Sequence, residues 1–407
     1  MIGRAPWALL LVLACAPALA GSSIGGHFEL DLESERNFDL DRSRADTRTL
    51  IAPEFQLEWT WNLPANGLHG YVQAELKRKF ELEEQGRDRD YEWSLDLEEA
   101  WVEIPFGDSG WSLRLGRQDF EDEREWLYDD SLDGARLFYR GDTLQAEFAA
   151  VRQTGFRREF LDEHEDGEFD FWQAMASYLP RKEWTVTAYA MGQQGRNGSE
   201  ADPWWLGLRS RGRLNEHVQH WLELALMRGD DASTSLDAHA LDLGVTWLIG
   251  GRWNPSLTVG FALGSGDGDP NDGTDHAFRQ IGIQDNDDRL NGVTPFLYYG
   301  EALDPELSNL RIFTLGAGFR PTKKSSVDLV WHDYRQARRS DAMRDIAFDD
   351  PNGVDRDLGY EFDLILGYRE IKNLKLELML GYFVPGDAFG PDADPALFVG
   401  SEARFKF

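Results

Sequence analysis

The chain has 407 residues, and its 73 acidic against 42 basic side chains give a formal net charge of -31, which excludes nonspecific binding of nucleic acid or another polyanion over the surface. Mean hydropathy is -0.50 and no apolar run beyond the N-terminus is long enough to cross a bilayer as a helix, so a helical membrane protein is excluded. A β-barrel stays open, because its lipid face uses only every second residue, and the 15 Trp suffice for interfacial girdles.

At the N-terminus Arg4 precedes the apolar run Trp7 to Ala14, and Pro17-Ala18-Leu19-Ala20-Gly21 has the small-residue pattern of a secretory cleavage site. The run is too short to span a membrane as a helix. Residues 1–20 therefore read as a signal peptide and 21–407 as one domain. Cleavage after Ala20 removes Cys15, the only cysteine, and with it any disulfide or thiol chemistry. An acylated Cys15 is the alternative, for which Leu13 is a poor fit.

Beyond Gly21 the chain alternates with period two. Phe28, Leu30 and Leu32 oppose His27, Glu29, Asp31 and Glu33; Phe55, Leu57, Trp59 and Trp61 oppose Glu54, Gln56, Glu58 and Thr60. Further strands are predicted near 69–80, 92–104, 111–119, 135–140, 144–152, 170–179, 184–191, 203–213, 218–227, 238–248, 255–264, 309–320, 325–335, 358–368, 374–383 and 396–407. Compact turns such as 62–68, 105–110, 180–183 and 371–373 fall between an even strand and the next odd one, and long acidic loops fall on the other side.

This is the asymmetry of an all-β transmembrane antiparallel barrel of about eighteen strands, with short periplasmic turns and long extracellular loops. An even count closes the sheet without a free edge, and the size leaves a water-filled lumen. Late in the chain Phe362, Leu364, Leu366 and Tyr368 oppose Glu361, Asp363 and Ile365, and Leu374, Leu376, Leu378 and Leu380 oppose Lys375, Glu377 and Met379. The last strand sets Phe407, Phe405 and Ala403 on one face against Lys406, Arg404 and Glu402, and stops on an aromatic residue. Such an ending suits a closing strand recognised by barrel-assembly machinery through Phe407, in the outer membrane of a Gram-negative bacterium. Outer-membrane lipid and lipopolysaccharide would then be its surroundings.

Three stretches invite chemical readings. Ser265-Gly266-Asp267-Gly268-Asp269-Pro270-Asn271-Asp272-Gly273 places oxygen ligands at alternate positions, making Asp267, Asp269, Asn271 and Asp272 a candidate structural calcium loop. It departs from an EF-hand because Asp272 stands where the turn wants glycine, and its residues are also ordinary turn formers. The loop near 153–169, with Arg157-Arg158 and then Asp162-Glu163-His164-Glu165-Asp166, is either a gate or a solvated surface loop. Paired carboxylates could serve glycoside cleavage, but the acidic content makes chance pairs common, and no nucleophile-elbow, zinc-protease or phosphate-loop motif is present. No enzyme is expected, and no cofactor beyond the possible calcium.

Leu113-Arg114-Leu115-Gly116-Arg117-Gln118, Gly300-Glu301-Ala302-Leu303, Glu306-Leu307-Ser308-Asn309-Leu310 and Pro385-Gly386-Asp387-Ala388-Phe389-Gly390-Pro391 resemble stretches of the alginate-export porin family, in the same order along the chain. The resemblance implies an eighteen-stranded barrel narrowed by loops, whose lysine- and arginine-lined lumen passes the polyanion alginate. In this alignment Glu33, Glu54, Glu98, Asp119 and Glu377 stand where the family has basic lumen residues. Arg289 keeps its arginine, and Asp129 and Glu402 keep acidic partners.

A carboxylate-lined pore concentrates cations. The expectation is a passive channel for a polysaccharide, oligosaccharide or small solute, preferring cations. Glu33, Glu54, Glu58, Glu361, Asp363 and Glu377 are its candidate selectivity residues, with Arg114, Arg117 and Arg289 as counter-charges. A surface-adhesion protein that uses the barrel only as an anchor is the alternative, separated by channel conductance.

Overall fold

Period-two alternation becomes strand wherever the sequence carries it. The computed structural model describes residues 21–407 except 45, 64–66, 84–90, 156–159, 162–168 and 197. Its strands are β1 (Ser23–Arg36), β2 (Arg48–Leu63), β3 (Leu68–Glu83), β4 (Tyr91–Pro105), β5 (Trp111–Glu121), β6 (Asp129–Arg140), β7 (Leu144–Arg152), β8 (Phe169–Arg181), β9 (Trp184–Gly195), β10 (Ala201–Asn215), β11 (Val218–Asp231), β12 (Thr234–Leu248) and β13 (Ser256–Gly264). Three short strands follow, β14 (Thr274–Asp275), β15 (Asp287–Asp288) and β16 (Phe296–Leu297). The set ends with β17 (Leu310–Thr322), β18 (Ser325–Gln336), β19 (Asp357–Tyr368), β20 (Leu374–Pro385) and β21 (Ala396–Lys406).

All but β14, β15 and β16 are long strands that form a closed antiparallel barrel of 18. Closure is made by β1 against β21, in a register that sets Phe28 opposite Phe405 and Asp31 opposite Glu402. Phe407 extends that seam, donating its N–H to Gly26 O at 3.0 Å and stacking on Phe55 at 6.0 Å between ring centroids. With every neighbour paired the sheet has no free edge, as a barrel in lipid requires.

The outward rows carry the apolar side chains, among them Phe28, Leu226, Trp247, Leu257, Leu329 and Phe362, all exposed. The inward rows carry His27, Glu54, Glu223, Asp242, Glu361 and Glu377, all buried. Both termini lie at one end with the compact turns, and the longer connections lie at the other. One hairpin departs from this: β11 and β12 run on past the predicted ends and close through 232–233 at the loop end, with Ala232 at φ 53°. In the β3–β4 pair the register shifts between Gln73 and Ala74, so Glu98 is the extra residue of a β-bulge.

Two connections at the loop end fold inward. Residues 122–128, between β5 and β6, and 265–309, between β13 and β17, pack on one another through buried Trp126, Leu127, Phe278, Tyr299, Leu303 and Leu307. The barrel core is this pair of inserts against the inner wall. Residues 1–20 and the charged stretch 157–158 and 162–166 lie outside the described residues.

Candidate functional site: the lumen and its inserts

The inserts are held by hydrogen bonds and ion pairs to the wall. Glu361 on β19 is fully enclosed, and its carboxylate accepts the backbone N–H groups of Ala302 at 2.6 Å and Leu303 at 3.0 Å and the Tyr334 hydroxyl at 3.2 Å. Gly300 makes this approach possible: its φ is +122°, and a Cβ there would stand 2.1 Å from the Tyr334 hydroxyl. Asp363, one position further along that row, is also enclosed and lies 3.3 Å from His332. Both predicted selectivity carboxylates thus have no surface to offer a solute: Glu361 anchors the 265–309 insert, and Asp363 faces His332 on the neighbouring strand.

The following motif continues the anchor. Glu306 accepts Gln280 N at 2.6 Å, Leu307 N donates to Gln280 Oε1 at 2.9 Å, and the Asn309 amide brackets the backbone of Arg338 at 2.8 and 3.1 Å. Burial pushes Glu306 up to about 7 despite Arg344 at 3.0 Å.

Arg124, in the shorter insert, reaches across to β12. Its Nη1 donates to Asp242 Oδ2 at 2.7 Å, its Nε lies 3.4 Å from Asp288, and its guanidinium stacks on Tyr298 at 4.0 Å. Asp242 also accepts from Trp221 Nε1 at 2.7 Å and the Tyr299 hydroxyl at 3.1 Å. These donors satisfy the Asp242 carboxylate, as a buried ion pair requires, while Arg124 Nε has only the nearby charge of Asp288. Asp122 similarly joins the insert to Arg209 on β10 at 3.0 Å.

The inner wall has two faces of opposite character. On β1–β3 and β20–β21, Glu29, Asp31, Glu33, Glu54, Glu58, Glu75, Glu377 and Glu402 share inward rows. Part of their charge is met by Lys77 on Glu54 at 3.4 Å, Arg369 on Glu377 at 2.8 Å, Lys375 between Glu377 at 2.9 Å and Glu402 at 2.8 Å, and Arg404 on Glu29. Glu58 accepts from Gln56 at 3.4 Å.

The opposite wall carries arginines, each matched by a carboxylate: Arg209 by Asp122 and Glu223, Arg211 by Asp288, and Arg213 by Glu183 at 3.5 Å. β10 is nine strands from β1 in either direction around the ring, and it presents Arg209, Arg211 and Arg213 in one inward row. Arg211 forks onto Asp288 at 2.8 and 3.0 Å. Beside this row, at the end carrying the termini, lies a cavity of about 670 Å³ lined by Arg124, Arg211, Arg213, Arg289, Arg320 and Lys182, against Glu121, Glu123, Glu183 and Asp288. Among the described residues Arg289, Arg320 and Lys182 have no carboxylate within ion-pair distance.

The other sequence candidates scatter. Arg114 pairs with Glu103 at 2.9 Å near the terminal end and stacks on Trp101 at 4.0 Å. Arg117 stands in the outward row of Leu113 and Leu115, buried and 3.6 Å from Asp133. Asp119 lies on β5 beyond its last pairing with β4, its backbone N–H donating to Glu99 Oε2 at 3.2 Å. Glu98 occupies the β-bulge.

Asp129 meets Glu125 and Asp285, with carboxylate oxygens of the three within 4.8 Å of one another. Burial, then the nearby carboxylates of Asp129, Asp287 and Asp285, push Glu125 up to about 9; burial and Asp130 also raise Asp285. Asp267, Asp269 and Asp272 each accept backbone N–H groups within their own turns, from Gly268 at 2.7 Å, Asn271 at 3.2 Å and Thr274 at 2.9 Å. Among the described residues these three aspartates do not gather into a cluster of the kind that Glu125, Asp129 and Asp285 form.

The arginine face was missed from sequence, although its signal is present. Leu206, Leu208, Ser210 and Gly212 alternate with Gly207, Arg209, Arg211 and Arg213, the same period-two pattern that marked the acidic face. Arg124 carries no such signal, because its contacts depend on how the insert folds.

The model of the Alginate export family matches residues 22–397. Alginate production protein AlgE of Pseudomonas aeruginosa is 26% identical over 372 residues, covering 77% of this chain and 74% of that one. Alginate production protein AlgE of Azotobacter vinelandii is 28% identical over 188 residues, 39% of this chain and 37% of that one. Solved structures of similar fold include OccK5 (OpdH) of Pseudomonas aeruginosa, with TM-score 0.63 and 13% identity over 96% of this chain and 98% of that one. OccAB4 of Acinetobacter baumannii gives 0.62 and 8% over the same shares, and the outer membrane protein opdK of Pseudomonas aeruginosa gives 0.61 and 13% over 96% and 99%.

Proposed function

Taking as premise that the chain belongs to the alginate export family, we propose that this outer-membrane export channel passes an anionic, uronate-type polysaccharide by passive diffusion, with the polymer's carboxylates moving along the arginine-bearing wall. The observation that carries the reading is the set of cations without carboxylate partners, Arg289, Arg320 and Lys182, lining the cavity at the terminal, periplasmic end. The exposed Arg289 guanidinium is available to a passing carboxylate, which it can hold bidentately, while half-buried Arg320, whose Nη2 donates to Lys323 O at 2.6 Å, adds its positive charge.

The acidic wall opposite serves the counter-ions. A polyuronate moves with its cations, and the half-buried Glu33 and Glu58 give them a separate path, with buried Glu54 and Glu377 adding to the negative field behind it, so the pore prefers cations among small ions while still binding the polymer. No covalent step is involved in this reading.

The test is block of ion current by oligouronates, compared with neutral oligosaccharides of equal length. Block by the uronates alone supports the reading. Equal block by both removes the role of charge. No conductance from heat-modifiable, folded protein favours the barrel as an adhesion anchor.

A further inference from the structure

On the outside of the barrel, at the loop end, β12, β13 and β17 border a second cavity of about 710 Å³ that is separate from the lumen. Its wall comes from outward rows: Asp237 and His239 on β12, Leu263 on β13 and Arg311 on β17. Each row continues toward the terminal end with lipid-facing side chains, Leu243 and Val245 after His239, Val259 and Leu257 beyond Leu263, and Phe313 and Leu315 after Arg311. The cavity therefore sits where the apolar band ends, at the depth of the outer-leaflet headgroups.

Arg338, following β18, and Arg356, preceding β19, complete it with the loop that includes Gly268. Arg311, Arg338 and Arg356 are exposed, and among the described residues none has a carboxylate within ion-pair distance. Two are held in place by their backbones: Asn309 brackets Arg338, and Arg356 O accepts Gln336 N at 2.9 Å. Arg311 also stands directly opposite Arg335 in the β17–β18 register; Arg335 is met by Asp333 at 3.4 Å, which leaves Arg311 the uncompensated member of the pair. The acidic residues of the cavity are already engaged. Asp237 is bound by Arg228 at 2.6 Å, and Asp269 and Asp272 accept backbone N–H groups of their own turns.

We propose that this cavity seats the phosphorylated saccharide headgroup of an outer-leaflet glycolipid. Guanidinium groups match phosphate oxygens two at a time, and the volume suits a small saccharide. The apolar rows beneath would receive the acyl chains. The inference rests on the outer-membrane setting and not on the identity of the exported solute.

The test uses the full barrel in detergent micelles, titrated with labelled diphosphoryl lipid A and with its dephosphorylated form, and with inorganic phosphate as competitor at matched concentration. Wild type is expected to bind the phosphorylated lipid about tenfold or more tightly than the dephosphorylated one. The Arg311→Gln/Arg338→Gln/Arg356→Gln variant is expected to lose that preference while keeping wild-type conductance, since none of the three faces the lumen. Equal binding of both lipids by wild type overturns the proposal without recourse to any variant. Competition by inorganic phosphate would also overturn it, assigning the cavity to a free anion.

Discussion

Arg124 Nη1 lies 2.7 Å from Asp242 Oδ2, joining the insert between β5 and β6 to the barrel wall at β12. The contact decides whether the insert is part of the lumen's fixed shape. Replacing Arg124 by Leu leaves Asp242 with Trp221 and Tyr299 as donors but no counter-charge, and breaking one side of a buried pair costs about 3–5 kcal/mol. Arg124→Leu is expected to raise current noise and mean conductance, read in planar bilayers, and to lower the temperature at which the folded gel band is lost. A variant trace as quiet as that of wild type would show that the insert is held without the Arg124–Asp242 contact.

Acidity should act on the same insert through Glu125. Its carboxyl is raised from 4.5 to about 9, so the folded insert favours the protonated form. The stabilisation is complete below the unfolded value of 4.5 and is lost as pH rises through about 9, where Glu125 ionises beside Asp129 and Asp285. Current fluctuations are therefore expected to increase from pH 5 toward pH 9, and Glu125→Gln is expected to flatten that dependence. A variant that keeps the wild-type pH profile would place the titrating group elsewhere.

On the acidic wall, Glu54 and Glu377 lie near Lys77, and near Arg369 and Lys375, respectively. The Glu54→Lys/Glu377→Lys variant reverses two charges there. Its reversal potential in a potassium chloride gradient is expected to move toward the anion side. An unmoved potential would mean that small ions are selected at another part of the lumen.

The frame of the barrel was open to reading because lipid and water impose alternation directly on the sequence. Phe28, Leu30 and Leu32 against Glu29, Asp31 and Glu33 determine a strand and its inward face together. The inserts follow no such rule: Phe278, Tyr299 and Leu303 are buried by folding back on the wall, and in sequence they are scattered apolar residues of a long loop. For the same reason Glu361 and Asp363 had the correct face but not their surroundings, since parity places a side chain inward without saying what covers it. Arg117 shows the complementary case. It stands in the outward row yet is buried, 3.6 Å from Asp133, which parity alone does not foresee.

Cations without carboxylate partners at the periplasmic end are expected to bind the passing polyanion. The most direct measurement is single-channel recording of purified wild type and the Arg289→Gln/Arg320→Gln variant, with oligouronates added on the periplasmic side. Wild type is expected to be blocked by the oligouronate, and the variant's block to weaken about tenfold or more through loss of two charge-assisted contacts, with open conductance retained. Oligouronate block of equal strength in both proteins, or none in either, would contradict this expectation.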